Sequence, residues 1–169
     1  MKGARILVAS PPRGVFEDVI VVGTPKPGTL MEIQPSVAHV GGLFSYRPYG
    51  TQAASSGLYV AADGNKKAIA ILLEKDDVNG IYSRSYVTGE RGKIYWPAMG
   101  EQFNMILENQ SGTADAYAIG QEYMADDGTG KLLAADADAE AHPFTGLEAV
   151  TAMTADVWCW VRFNGAGGA

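Results

Sequence analysis

The feature that most constrains the fold is an alternation near the end of the chain, from Asp156 to Phe163. Successive side chains of a β-strand point to opposite faces, so this pattern predicts a strand with one apolar face. The predicted core face carries Val157, Cys159, Val161 and Phe163. The opposite face carries Asp156, Trp158, Trp160 and Arg162.

The opposite face is unusual because it holds two indole rings between two charges. Each ring has a large apolar area, and its exposure to water is unfavourable. Interfaces between subunits are enriched in tryptophan, so we predict a subunit interface at Trp158, Trp160 and Arg162. Packing of both rings under a loop of the same chain explains the pattern equally well.

Length and composition indicate one globular domain with many turns. The 169 residues are 47% hydrophobic, 21 of them are glycine, and only 19% are charged. The net charge of -6 argues against a nucleic acid or an anionic membrane as a partner. Cys159 is the single cysteine, which excludes an internal disulfide. Pro11 and Pro12 end the first apolar run well short of a signal-peptide core.

The rest of the chain predicts short strands separated by turn signals, hence an all-β barrel or sandwich. The clearest predicted strands are Val19–Val22, Leu30–Ile33, the buried run within 67–74, Tyr82–Val87, Lys93–Trp96 and Gly146–Val150. Residues 1–18 contain Pro11, Pro12 and Gly14 and predict an extended N-terminal arm. Residues 19–163 form the predicted barrel domain, with a structured loop at 34–66, and residues 164–169 a flexible tail. We find no internal repeat of fixed period.

The sequence lacks the spacing of known catalytic or metal sites, so we predict no enzyme activity, no cofactor and no metal. His39 and His142 stand far apart, and neither adjoins a nucleophile motif. The glycines of the 128–131 segment lack the spacing of a phosphate loop and predict a hairpin tip. The acidic residues predict a solvated loop rather than a calcium site, because their spacing is irregular: Asp126, Asp127, Asp136, Asp138 and Glu140.

Several motifs, in order, resemble the head decoration (capsid cement) proteins of tailed bacteriophages. The segment Pro27–Ile33 resembles the opening of those proteins, and Gly120–Met124 followed by Asp127–Leu132 resembles a hairpin of theirs. Gly146–Val150 and then Val157–Phe163 are similar to their closing pair of strands. The N-terminal segment of residues 1–26 is longer than in compact members, and residues 34–66 resemble an insertion.

The resemblance implies a small β-barrel or β-tulip domain that forms a homotrimer without catalytic activity. Such a protein is made in the host cytoplasm, binds the major capsid protein on the outer surface of the virion head, and stabilises the expanded shell. Candidate capsid contacts are the apolar, aromatic and basic residues of the arm and the loop: Ile6, Leu7, Val8, Arg13, Phe16, Phe44, Tyr46 and Tyr49.

Three alternatives remain open from the sequence. Ile6, Leu7 and Val8 fit an edge strand of the barrel itself as well as they fit an arm. Tyr46, Tyr49, Tyr59 and the tryptophans also suit a sugar-stacking platform, which would make the chain a carbohydrate-binding or adhesin-like β-module. A β-barrel enzyme that uses the acidic loop with a metal is the third.

Overall fold

The computed structural model describes residues 6, 14–34, 41–49, 70–74, 84–109, 114–126, 128–135 and 143–165. These residues form twelve strands and no helix, which confirms the all-β prediction. The strands are β1 (Val15–Val21), β2 (Leu30–Ile33), β3 (Ser45–Pro48), β4 (Ala70–Leu72), β5 (Arg91–Trp96), β6 (Gln102–Leu107), β7 (Asp115–Tyr117), β8 (Glu122–Ala125), β9 (Leu132–Ala134), β10 (Phe144–Gly146), β11 (Val150–Met153) and β12 (Val157–Phe163).

The strands close into two small barrels, whereas the sequence predicts one. The first barrel has the order β1-β3-β2-β4-β5, with β5 returning to β1. The second has the order β6-β9-β8-β10-β12, with β12 returning to β6. Strands β7 and β11 form a separate two-stranded sheet. Closure gives every barrel strand a neighbour on each side, although the parallel contacts are short, with two residue pairs between β1 and β3 and one between β6 and β9.

The two barrels have the same topology. Strands β1 to β5 correspond in order to β6, β8, β9, β10 and β12. In each barrel the first and third strands are parallel, β1 with β3 and β6 with β9, and the other four pairs are antiparallel.

The strand registers also coincide. The pair Val21–Tyr46 of the first barrel matches Leu107–Leu132 of the second. The pair Met31–Ala70 likewise matches Tyr123–Phe144. The turns that precede β2 and β8 also agree. The Gly28 amide donates to the Leu72 carbonyl, and the Gly120 amide donates to the Gly146 carbonyl. The chain therefore contains an internal structural repeat, with β7 and β11 inserted into its second copy.

Equivalent interior positions of the two barrels are filled by side chains of different sizes. On the fourth strand, Ala70 and Leu72 of the first barrel match Phe144 and Gly146 of the second. Gly146 leaves room for Tyr123, because a Cβ there would lie 2.9 Å from that ring. Such exchanges conserve volume, which is what close packing of an interior requires.

The two barrels share a hydrophobic core and so form one unit. The interior of the first barrel is a separate cluster. The larger cluster combines the interior of the second barrel with the outward faces of β2, β4 and β5, through Leu30, Ile71 and Tyr95. These three side chains are fully buried. Burial of apolar area is the main favourable term in folding, so this shared cluster holds the barrels together.

The boundary predicted for the N-terminal arm is wrong. Strand β1 begins at Val15, so the last four arm positions belong to the first barrel. Ile6 is also buried in the shared core, where its carbonyl accepts from the Asn104 amide and its own amide donates to Glu74. A residue whose side chain is buried and whose backbone amide and carbonyl are both hydrogen-bonded is part of the fold and is not available to bind a partner. Leu7, Val8 and Arg13 lie outside the described residues.

Two predicted strands also need correction. Residues 84–87 of the predicted Tyr82–Val87 strand are not in a strand, although the Tyr86 side chain is buried in the first barrel. The predicted Gly146–Val150 strand is instead a bend between the end of β10 and the start of β11. Of the predicted tail, Asn164 and Gly165 are described, and the backbone amide of Asn164 donates to the Pro143 carbonyl.

Candidate interaction surface

The alternation of the closing strand β12 is confirmed. Cys159, Val161 and Phe163 are buried, whereas Trp160 and Arg162 are exposed. The strand lies between β6 and β10 in the second barrel. Its apolar face therefore fills the barrel and its other face points outward.

The two tryptophans of the outward face have different environments. Trp158 is half-buried and packs against the shared core. A Cβ added to Gly28 would lie 2.5 Å from the Trp158 ring, so the ring rests on the backbone of the turn before β2. Trp160 is 40% exposed. Because Trp158 has a partner in its own chain, the predicted subunit contact depends on Trp160 and Arg162.

Polar groups surround Trp160 and hold its strand in place. The Trp160 amide donates to the Glu148 carboxylate at 2.8 Å, and its carbonyl accepts from the Leu147 amide. Arg162 pairs across the sheet with Thr145, which in turn pairs with Glu122. The surface formed by Trp160, Arg162, Thr145 and Glu122 is called the β12 face below. It presents one large ring among charged and polar side chains.

The aromatic residues predicted to contact a capsid divide into exposed and buried pairs. Phe16 and Phe44 are 48% and 44% exposed. Tyr46 and Tyr49 are buried, in the first barrel and in the shared core respectively, so their side chains are not a contact surface. The Ile20 amide donates to the Phe44 carbonyl, and Ile20 lies four residues along β1 from Phe16, so the backbone positions of the two phenylalanines are about 13 Å apart along the strand.

A buried polar network joins the two barrels, and the sequence does not reveal it. The Tyr95 hydroxyl donates to the Glu101 carboxylate at 2.6 Å and accepts from the Gly14 amide. The second carboxylate oxygen of Glu101 accepts from the Ala98 amide at 2.7 Å. Glu101 is only 1% exposed. Tyr95 lies only six residues before Glu101, but no local pattern indicates that the two side chains meet inside the protein.

A second polar cluster lies at the hairpin before β9. The Lys131 ammonium group contacts the carboxylates of Glu108 and Asp156, each at 2.9 Å. Partial burial lowers the pKa of Lys131, but the hydrogen bonds to Glu108 and Asp156 outweigh it and raise the pKa above its usual 10.5. The lysine therefore stays charged and fixes the hairpin against the start of β12.

Removing Lys131 is expected to have a small, pH-dependent effect. Lys131→Met should lower the free energy of unfolding by about 1 kcal/mol or less at neutral pH, because the pair is partly exposed. A pKa that is higher in the folded state stabilises the fold at pH values below the pKa of the unfolded state. This stabilisation is lost as the pH rises through the pKa of the folded state. The difference between the two proteins in urea midpoint should therefore shrink on titration through the lysine range. A difference that is constant with pH would contradict this.

The described residues contain no group of three or more side chains with the geometry of a metal site. His39, His142, Asp127 and the acidic residues 136–140 lie outside them. The predicted absence of a metal and of catalysis thus stays a prediction. Within the same part of the chain, no helix is long and apolar enough to cross a membrane.

Comparison with known proteins gives one informative result. No family model matches the chain, and no curated protein matches its sequence. Among solved structures, the head fiber gp8.5 N base of bacteriophage phi29 is similar, with a TM-score of 0.50. The match covers 92% of this chain and 97% of that one, at 7% sequence identity. At so low an identity the likeness shows a shared fold.

Proposed function

We propose that the chain is a non-enzymatic structural protein of a bacteriophage head. In this role it binds the major capsid protein on the outer surface of the shell and stabilises the expanded head. The observation that carries the proposal is the fold likeness to a phage head fiber base over nearly the whole of both chains. The resemblance of several sequence motifs to head decoration proteins points independently in the same direction.

The surface of the molecule is consistent with this role. A net charge of -6 disfavours a position that faces packaged DNA. Phe16, Phe44 and Trp160 are exposed aromatic rings. Aromatic residues are enriched where proteins bind each other, and Phe16 and Phe44 remain the candidate capsid contacts among the described residues. Both rings lie on the first barrel, whereas Trp160 lies on the second.

Binding to empty expanded shells tests the proposed function. Purified protein is mixed with shells assembled from the major capsid protein of the same genome, and the shells are collected by sedimentation. Saturable binding at a fixed ratio of chains to capsid subunits is expected. Phe16→Ala with Phe44→Ala should weaken binding, whereas Ile119→Ala, an exposed apolar control on the second barrel, should not. Absence of saturable binding by the unchanged protein would overturn the proposal.

We also propose that the chain forms a homotrimer through the β12 face. The corresponding face of the first barrel, at Ile71 and Tyr95, is buried against the second barrel. In the second barrel, the positions equivalent to Ile71 and Tyr95 are Thr145 and Arg162. In the first barrel this side already packs against another barrel within the chain. The equivalent side of the second barrel, the β12 face, is therefore suited to a contact between chains.

The expected effect of the β12 face on assembly is large. Trp160→Ala with Arg162→Ala should weaken trimer formation by about 2 kcal/mol or more, because buried aromatic and arginine side chains dominate interfaces. Sedimentation equilibrium measures the change, with Ile119→Ala as the control. A double variant that stays trimeric at the same concentrations as the unchanged protein would refute the assignment of this face.

A further inference from the structure

A cleft of about 380 Å³ lies at the junction of the two barrels, apart from the β12 face. One wall is the turn before β2, with Thr24, Pro25 and Lys26, and the other is the start of β12, with Asp156 and Trp158. Binding pockets for small molecules have volumes from about 300 Å³ upward and occur often at such junctions. The volume suits a ligand of one or two small rings.

Trp158 is the largest of the apolar side chains that line the cleft, which also include Pro25, Pro48, Ile106 and Val157. Gly28 supports one edge of the ring, because any side chain at that position would collide with it. The strand that carries Trp158 is held on its other edge by pairing of Trp158 with Ile106 of β6. A flat ring that is half-buried and held at its edge is suited to stacking against another flat apolar face.

The polar lining of the cleft is rich in hydroxyl groups, and its charges balance when Glu108, which pairs with Lys131 but does not line the cleft, is included. Lys131 and Asp156 both line it, and they pair with each other at 2.9 Å. Lys131 also pairs with Glu108, whose charge offsets that of Lys26 on the opposite wall. Thr24, Thr29 and Ser85 add hydroxyl groups. A charged ligand gains little here, whereas a neutral ligand with many hydroxyl groups finds both donors and acceptors.

We propose that this cleft binds a neutral saccharide of one or two pyranose rings. The apolar face of a pyranose stacks on Trp158, and its hydroxyl groups exchange hydrogen bonds with Asp156 and Lys131. The ion pair is already formed, so these groups are oriented before the sugar arrives, which lowers the cost of binding. A phosphate or a sulfate does not match the balanced charge. A purely apolar ligand displaces the water around the ion pair and replaces none of its hydrogen bonds.

Saturation-transfer NMR on the full chain tests the proposal. The probes are methyl glucoside, methyl galactoside, methyl mannoside, N-acetylglucosamine and their β-linked disaccharides. We expect saturable transfer from at least one probe, with a dissociation constant on the order of 1 mM, as suits a ligand of this size. Trp158→Ala should weaken that binding at least about tenfold. Ile119→Ala, at an exposed position outside the cleft, should leave it unchanged.

A second variant covers the case in which Trp158→Ala fails to fold. Thr24 is exposed and lines the cleft, so Thr24→Phe reduces the cleft volume and leaves Trp158 in place. This variant should melt like the unchanged protein and lose sugar binding. No saturable transfer from any probe at about 10 mM would overturn the proposal. Equal loss of binding in Ile119→Ala, or full binding in Thr24→Phe, would also overturn it. None of these results depends on capsid binding.

Discussion

Replacing Gly130 by alanine is expected to lower the free energy of unfolding by about 2 to 5 kcal/mol. Gly130 has a φ of 66° and lies in the hairpin before β9, where its carbonyl accepts from the Leu30 amide. A Cβ there would lie 2.3 Å from the Leu30 carbonyl oxygen and 3.0 Å from the Tyr49 nitrogen. Both are backbone atoms of the first barrel, so relief of the clash requires the two barrels to separate.

Gly120 is the matched control for this substitution. Its φ of 86° is also in the left-handed region, but a Cβ there would meet nothing within 4 Å. Gly120→Ala should therefore cost only the backbone strain, about 1 to 2 kcal/mol. Urea unfolding of both variants measures the difference. Equal losses at the two positions would contradict the close contact between the barrels at Gly130.

Replacing Tyr95 by phenylalanine is expected to lower the free energy of unfolding by about 1.5 to 3 kcal/mol, although it removes a single oxygen atom. The hydroxyl group donates to Glu101 and accepts from the Gly14 amide. Its loss leaves a buried carboxylate oxygen without that donor. A charged group that is out of reach of water makes a lost hydrogen bond expensive.

Tyr123 provides the contrasting substitution in the same core. Its hydroxyl group is buried and makes no hydrogen bond of standard geometry to a described residue. Burial and the neighbouring Cys159 thiol, a weak hydrogen-bonding group, raise the pKa of Tyr123. Tyr123→Phe should thus change stability by no more than about 0.5 kcal/mol, or increase it. A loss as large as that of Tyr95→Phe would contradict this account of the two hydroxyl groups.

The parts of the fold that the sequence predicts are those that depend on local patterns. The alternation is predicted correctly from Cys159 to Phe163, because the period of a strand follows from its own residues, whereas Val157 and Trp158 are both partly buried. Leu30–Ile33 is predicted with the bounds that β2 has in the structure. Ile6 shows the limit of such reasoning, because a short apolar run beside prolines fits an arm and a core equally well. Its burial depends on Asn104 and Glu74, far along the chain.

The internal repeat escapes sequence analysis for a physical reason. Equivalent positions are separated by 92 residues at Gly28 and Gly120 but by only 67 at Ile94 and Val161, because the connecting segments differ in length. A search for a fixed period fails under those conditions. The interiors also require only apolar side chains of suitable total volume, so Ala70 and Phe144 occupy equivalent positions without similarity in sequence.

The candidate interaction surface is predictable only in part for a related reason. A strand pattern shows that Trp158 and Trp160 share a face, but it does not show which ring the turn at Gly28 covers. The aromatic residues near β3 likewise look alike in sequence, although Phe44 is exposed and Tyr46 is buried. The cleft between the barrels combines residues from both halves of the chain. Sites of this kind arise from the packing of elements and leave little trace within any single segment.

Electron cryo-microscopy of expanded shells, with and without the added protein, tests the central claim most directly. The account predicts additional density on the outer surface of the shell, in positions that follow its symmetry, into which the pair of barrels fits. It also predicts that the first barrel, with Phe16 and Phe44, faces the major capsid protein. Shells that carry no additional density under saturating protein would contradict the account, as would density confined to the inner surface.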